Sequence, residues 1–296
     1  MEIDLFFQYV VAGVTKGAIY AVVAIGFNII YNTTGIINFA QGEFVMLGGM
    51  TAVTLETFFP LPVAILGAVV ITMAVGALIE IVFIRWLVNA SVLRMIIITI
   101  GISILTREAA LHIWGEKVRA LPYFTGDEIS SIAFAGVRIS PQVLWVLGVC
   151  TVVVVFLNLF FQGTFVGRQM RACAANREAA RLCGINAKNM VTLSFVLSAG
   201  IGALAGAVIS PITYVQYDAG TPLAIKGFTV AILGGLGNSM GAVAAGLVLG
   251  VLESFSIMVM PTAYKDAIAI AILLGVLFLK PSGLFGSRET AGLKEF

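Results

Sequence analysis

Nine apolar stretches organise this chain, at 5–30, 39–59, 62–84, 92–114, 142–162, 190–212, 222–236, 239–260 and 263–280. Most approach the ~20 residues that a helix needs to cross the ~30 Å hydrocarbon of a bilayer. This constrains the fold more than any motif, because backbone in lipid must satisfy its own polar groups. Composition agrees: the 296 residues are 60% hydrophobic and 11% charged, with mean hydropathy +1.06. Soluble domains are about 45–50% apolar and about 25% charged. A soluble enzyme, a disordered chain and a nucleic-acid-binding module are excluded. The reading is an all-α polytopic membrane protein, a single membrane domain over 1–296. It predicts eight full spans, with 222–236 too short for an upright crossing and so oblique or re-entrant.

Loop charge sets the expected orientation. The 163–189 loop holds Arg168, Arg171, Arg177, Arg181 and Lys188 against Glu178 alone, which places it in the cytoplasm. The 115–141 loop balances Lys117, Arg119 and Arg138 against Glu116, Asp127 and Glu128, as an outside loop does. Counting back puts the N-terminus outside. Counting forward, the tail with Lys280, Arg288 and Lys294 is cytoplasmic only if 222–236 crosses. With no basic region ahead of the first apolar stretch, no cleavable signal peptide is expected.

The chain shows no means of catalysis. It has one histidine, His112, and three cysteines, Cys150, Cys173 and Cys183, without metal or disulfide spacing. No Walker A sequence or H-E-x-x-H motif occurs, and the Gly-rich run 234–241 lacks a following Lys-Ser/Thr. No cofactor or metal is expected, and ATP hydrolysis, if transport uses it, belongs to separate subunits. The 32 glycines cluster at Gly200, Gly202 and Gly206 and again from Gly234 to Gly250, giving small helix faces that pack closely in lipid. Lys16-Gly17 and Lys226-Gly227, each followed by a Gly-rich break, suggest an internal repeat of the kind transporters use.

Charged residues at membrane depth are functional candidates by default. Here they are Lys16, Glu43, Glu80, Glu108, Lys226 and Glu253. Glu80 is expected to snorkel toward Arg85. Glu43 follows the 38–42 break by one turn, where it either hydrogen-bonds broken backbone or lines a path. Tyr214, Gln216, Tyr217 and Asp218 are expected near the outer mouth. In the basic loop, 165–175 and 177–183 read as two short helices. Asn176 caps the second, and Gly184 ends it in the left-handed conformation. A compact pair of this kind suits docking of a cytoplasmic partner.

That loop, with Gly167-Arg168, Arg171-Ala172, Ala174, Ala179-Ala180, Leu182 and Gly184-Ile185, resembles the coupling segment of permeases in bacterial ABC importers. Gly35-Ile36-Ile37-Asn38-Phe39-Ala40-Gln41-Gly42-Glu43 resembles the N-terminal signature of LivH-type branched-chain amino acid permeases. Leu233-Gly234-Gly235-Leu236-Gly237-Asn238-Ser239, Gly241-Ala242 and Lys280-Pro281-Ser282-Gly283-Leu284 are similar to the family's C-terminal half. Two features depart from the family pattern: Gln41 stands where many members carry histidine, and Lys16 lies in the first span.

The resemblance implies the permease subunit of an inner-membrane importer for branched-chain or other apolar amino acids, working by alternating access. It implies a second homologous permease, two cytoplasmic ATP-binding subunits and an extracytoplasmic substrate-binding protein as partners. Candidates for the translocation path are Asn38, Gln41, Glu43, Asn238 and Glu253. Candidates for ATPase coupling are Gly167, Arg168, Arg171, Ala172, Ala179, Ala180, Arg181 and Gly184. The competing readings are a urea or short-amide permease or channel, and a self-sufficient secondary transporter using Glu43, Glu253 or Lys16. An intramembrane enzyme lacks a visible nucleophile–base set.

Overall fold

The computed structural model describes residues 2–87, 91–127, 129–134, 137–259, 265–280 and 283–284. Its helices, in order, are α1 (Glu2–Thr34), α2 (Gln41–Glu56), α3 (Leu61–Ile79, continued by a π-turn at Glu80–Ile84) and α4 (Val92–Trp114). There follow α5 (Pro141–Gly163), α6 (Phe165–Ala175), α7 (Arg177–Leu182), α8 (Ala187–Thr213), α9 (Gly220–Leu233), α10 (Ser239–Val259) and α11 (Lys265–Leu279). The only sheet among the described residues is a small antiparallel hairpin, β1 (Ile132–Phe134) with β2 (Val137–Ile139), in the predicted outer loop. Pro281, Ser282, Arg288 and Lys294 lie outside the described residues, as do Glu128 and Pro261.

Six helices are long and apolar enough to cross a membrane: α1, α3 with its π-turn, α4, α5, α8 and α10. Three of the nine expected membrane segments form helices below that length: α11, in the stretch read as a full span at 263–280, has 15 residues among those described. The stretch read as a full span at 39–59 is a helix of 16 residues, and α9, expected to be short, has 14. At 1.5 Å per residue these are about 24 and 21 Å long. α2 has no exposed residue, and α9 is buried along most of its length apart from Pro222 and Ile225, so neither needs a lipid-spanning length. The centre consists of α1 and α8, with 72% of each apolar window buried; α4 and α5, at 17%, present most of theirs outward.

Small residues make this centre possible. Gly13 and Gly17 of α1 face Gly246 and Gly250 of α10, and a Cβ on Gly13 would lie 2.6 Å from the Val251 Cα. Two four-residue glycine spacings thus bring the backbones into contact, where dispersion, not water, drives association. The α2–α8 contact is built the same way, with Gly48 on Ala203 and Gly202 on Phe44.

The lower end of the bundle settles how α9 runs. Asn32 Nδ2 donates to the Gly237 carbonyl (2.8 Å), and the Gly237 amide donates to Asn28 Oδ1 (3.0 Å). The Leu284 amide donates to the Leu233 carbonyl (2.7 Å). The C-terminal ends of α1 and α9, the start of α10 and residue 284 therefore lie together at one end of the molecule. The Arg119–Val215 bridge joins the predicted outer loop to the segment ahead of α9 at the opposite end. Residues 214–233 thus pass from one end to the other, in a dip followed by a short helix.

Candidate functional site

Where α2 starts decides what Glu43 can do. After α1, the chain turns at Gly35 (φ +71°) and runs back between the helices. Asn38, fully buried, accepts from the Ala40 amide through Oδ1 (3.2 Å), the short-range bond by which Asn starts turns and caps. Gln41 is fully buried as well, and the Ser198 hydroxyl lies within hydrogen-bond distance of both its Oε1 (2.5 Å) and the Gly26 carbonyl (2.9 Å). This ties α1, α2 and α8 together, so Gln41 has a packing partner on each side.

Glu43 is 1% exposed, and its Oε1 accepts from the Ser103 hydroxyl (2.8 Å) and the Thr221 hydroxyl (3.3 Å). Ser103 is the central residue of α4, and Phe44 packs on Gly202 near the centre of α8. Glu43 is therefore at mid-depth, in the first turn of a helix that begins inside the bundle. The first turn of α9 meets it there: Gly42 packs against the Gly220 carbonyl, and a Cβ on Gly220 would lie 2.5 Å from Glu43 Oε2. Each helix N-terminus carries roughly half a positive charge. Two of them converging at mid-depth favour a carboxylate between them, which gives Glu43 an electrostatic reason to be there. Arg107 and Asp218 also act on it. Glu43 Oε2, Asp218 Oδ1 and Asn38 Nδ2 have no hydrogen-bond partner among the described residues. Asp218, expected near the outer mouth, lies half-buried in the dip just ahead of α9.

Glu253, also a path candidate, has partners of its own, distinct from those of Glu43. Lys226 Nζ donates to Glu253 Oε1 (2.9 Å) and to the Tyr20 hydroxyl oxygen (3.1 Å), and the Tyr20 hydroxyl donates to Glu253 Oε2 (3.0 Å). These buried groups join α9, α10 and α1. Lys226 and Glu253 were visible singly as charges at membrane depth, but 27 residues and a helix break separate them, so nothing in the sequence pairs them. Asn238 caps α10, accepting from the Gly241 amide (3.0 Å), while Asn28 donates to its carbonyl (3.3 Å). It lines a cavity of about 360 Å³ between α1, α5, α6 and the start of α10, with Arg171 also in the lining.

Glu80 does not reach water. It is 1% exposed, and Oε2 takes bonds from Thr192 (2.7 Å) and Arg85 (3.3 Å). The π-turn at Glu80–Ile84 ends α3 with this carboxylate turned inward, so Arg85 comes to Glu80 rather than Glu80 reaching out.

The basic loop folds as its capping residues demand. Thr164 Oγ1 accepts from the Gly167 amide (2.9 Å) to start α6, and Asn176 Oδ1 from the Ala179 amide (2.9 Å) to start α7. Gly184, at φ +81°, closes α7, with the Ile185 amide donating to the Ala180 carbonyl (3.0 Å), a Schellman-type end. Arg168, Arg171, Ala172, Ala179, Arg181 and Gly184 are exposed. Gly167 is buried, with α6 so close to the end of α5 that a Cβ would lie 2.7 Å from Phe161 Cα. Ala180 is 4% exposed and packs with Cys173 and Ala187 inside the loop. Burial pushes the Cys173 thiol above its ordinary range, Arg177 offsetting only part, as for an unreactive packing cysteine. Cys183, in contrast, is exposed.

Comparison with known proteins extends the picture to the whole chain. Residues 9–277 match the family described as "Branched-chain amino acid transport system / permease component". The chain is 35% identical to the high-affinity branched-chain amino acid transport system permease protein BraD of Pseudomonas aeruginosa, over 97% of this chain and 98% of that one. It is 36% identical to the corresponding LivH protein of Salmonella typhimurium, over 96% of each. Among solved structures, PsaBC from Streptococcus pneumoniae in complex with Fab matches with TM-score 0.48 and 12% identity, covering 99% of this chain and 94% of that chain. The chain belongs to the family of branched-chain amino acid transport permease components and is a multi-pass inner-membrane protein.

Proposed function

We propose that this chain is a permease subunit of an ABC importer that moves branched-chain or other apolar amino acids by alternating access. The observation that carries the reading is the match, over nearly the full length of both chains, to permeases named for that transport. In this reading α2 and α11 join the six long helices as eight spans, and α9 with its preceding dip is the short ninth segment. The chain pairs with a second homologous permease, two cytoplasmic ATP-binding subunits supply energy, and an extracytoplasmic binding protein delivers cargo. The path runs past the α2–α9 junction, with Glu43, Asn38 and Gln41 on the α2 side and Asn238 at the inner end. A junction of two short helices fits this role because its parts separate without breaking a continuous helix. Glu253, held by Lys226 and Tyr20, supports the helices beside the path. That pairing also leaves it poorly placed to take up an ion, as the secondary-transporter reading requires.

Glu43→Ala is expected to lower transport per folded complex at least tenfold, because it removes the charge between two converging helix ends. Two interactions of the ~0.3–1 kcal/mol dipole type and two hydrogen bonds to a charged group, each ~1.5–3 kcal/mol, are lost together. Glu80→Ala should leave transport within about threefold once corrected for abundance, since that carboxylate holds Arg85 and Thr192 at the helix end. Equal transport by the two variants would place Glu43 outside the path.

The coupling part of the proposal is tested at α7. Ala179 faces solvent and Ala180 faces inward. Ala179→Trp should overpack a partner contact by ~1–3 kcal/mol and reduce co-purification of the ATP-binding subunits about tenfold or more while membrane abundance stays normal. Ala180→Trp should disrupt the loop itself and lower abundance. Full recovery of the ATP-binding subunits with Ala179→Trp would show that they dock elsewhere.

A further inference from the structure

The second large cavity of the described residues lies at the predicted cytoplasmic surface, outside the path and apart from the exposed Ala172–Ala179 face. It encloses about 650 Å³ between the ends of α1 and α3, the start of α4, α7 and the start of α8. Ligand cavities commonly fall within about 300–1,000 Å³. Its floor is apolar, formed by Ile84, Met95 and Val191, all buried. Its rim is basic, with Arg85, Arg177, Arg181 and Lys188 against two acids, Glu80 and Glu178. Both acids already have partners: Glu80 lies 3.3 Å from Arg85, and Glu178 lies 3.4 Å from Arg181. Two positive charges, Arg177 and Lys188, are left over. Arg85 adds a donor, since its Nε is shielded from solvent and has no hydrogen-bond partner among the described residues. Its two side-chain hydrogen bonds, to the Glu80 carboxylate and the Thr192 hydroxyl, are both made by the Nη2 nitrogen.

We propose that this cavity binds the phosphate group of an anionic phospholipid from the inner leaflet, with the headgroup among Arg85, Arg177 and Lys188 and the upper acyl carbons on the apolar floor. An apolar floor under an uncompensated cationic rim, at the level where membrane meets cytoplasm, matches an amphiphile better than a free ion. Basic pockets between membrane helices on this side recognise anionic headgroups for the same reason. The same phosphate chemistry is present in inorganic phosphate, so the two sources must be separated by experiment. Because α7 forms one wall, an occupied cavity would brace the loop that carries the exposed Ala179.

The test uses the purified full-length chain in nanodiscs of neutral phosphatidylcholine with a small fraction of phosphatidylglycerol, and retained lipid is measured by native mass spectrometry. Phosphatidylglycerol should be retained in preference to phosphatidylcholine by the wild type. Arg177→Gln/Lys188→Gln should lose that preference about 30-fold, from about fivefold for each basic side chain. Arg168→Gln/Arg171→Gln, two arginines of the same loop that do not line this cavity, should keep it. Lys188→Glu alone provides a second variant at an exposed position, with a loss at least as large as one side chain's share. Equal loss in the Arg177/Lys188 and Arg168/Arg171 pairs would overturn the assignment, leaving only general attraction to a basic loop. Displacement of phosphatidylglycerol by an equimolar amount of inorganic phosphate would also overturn it, in favour of a free-anion site.

Discussion

Lys226→Met is expected to remove most of the folded protein, while Lys226→Met/Glu253→Met restores much of it. The single change leaves the Glu253 carboxylate 2% exposed in a bundle core without its cation. Breaking one side of a buried ion pair typically destabilises by ~3–5 kcal/mol, whereas replacing both partners with apolar residues of similar volume is often neutral or stabilising. Methionine suits both positions because it is unbranched and adapts to irregular gaps. Tyr20→Phe should fall between, losing one hydrogen bond to a charged group, about 1.5–3 kcal/mol. Abundance and Tm from size-exclusion chromatography in detergent would measure all three. Equal destabilisation by the single and double changes would mean that the pair contributes its own favourable term beyond mutual neutralisation.

Gly206→Ala should be nearly as damaging, although it adds one methyl group. The new Cβ would overlap the Val45 carbonyl oxygen and lie 2.8 Å from the Val45 carbonyl carbon. Both belong to backbone that cannot turn aside, so α2 and α8 must separate. That loss should reach the upper end of the ~1–3 kcal/mol usual for overpacking. Gly200→Ala, on the same helix, should be tolerated. Its Cβ would meet Met73 Cγ at 3.0 Å and Sδ at 3.2 Å, the far part of a flexible side chain. Comparable melting of the two variants would show that α2 and α8 are not held at backbone contact.

These two cases also mark what the sequence reveals and what it hides. The glycine clusters announced close packing, and Asn176 and Gly184 located the two short helices of the basic loop to within a residue, because caps and left-handed ends are local chemistry. The position of α2 was not legible. A helix enclosed on all sides shows no amphipathic period, so 39–59 reads like a lipid-facing span when 41–56 is a short helix starting at mid-depth. The inward turn of Ala180 was hidden for a related reason, since a helix of six residues is too short to display a face. The pairing of Lys226 with Glu253 depends on α9 and α10 packing back to back, which only tertiary structure supplies. Glu80 was misread because proximity to Arg85 in sequence suggested shared exposure, whereas the π-turn directs the carboxylate to Thr192.

In the proposed function this chain forms a path but does not drive transport. Reconstitution of purified chain into liposomes, with radiolabelled leucine outside, tests it most directly. The chain alone should accumulate no leucine above its external concentration, even under an imposed proton gradient. Addition of the second permease, the ATP-binding subunits with lumenal ATP and the binding protein should produce accumulation that stops when ATP is omitted. Concentrative uptake by the chain alone would contradict the account and mark it as a self-sufficient secondary transporter.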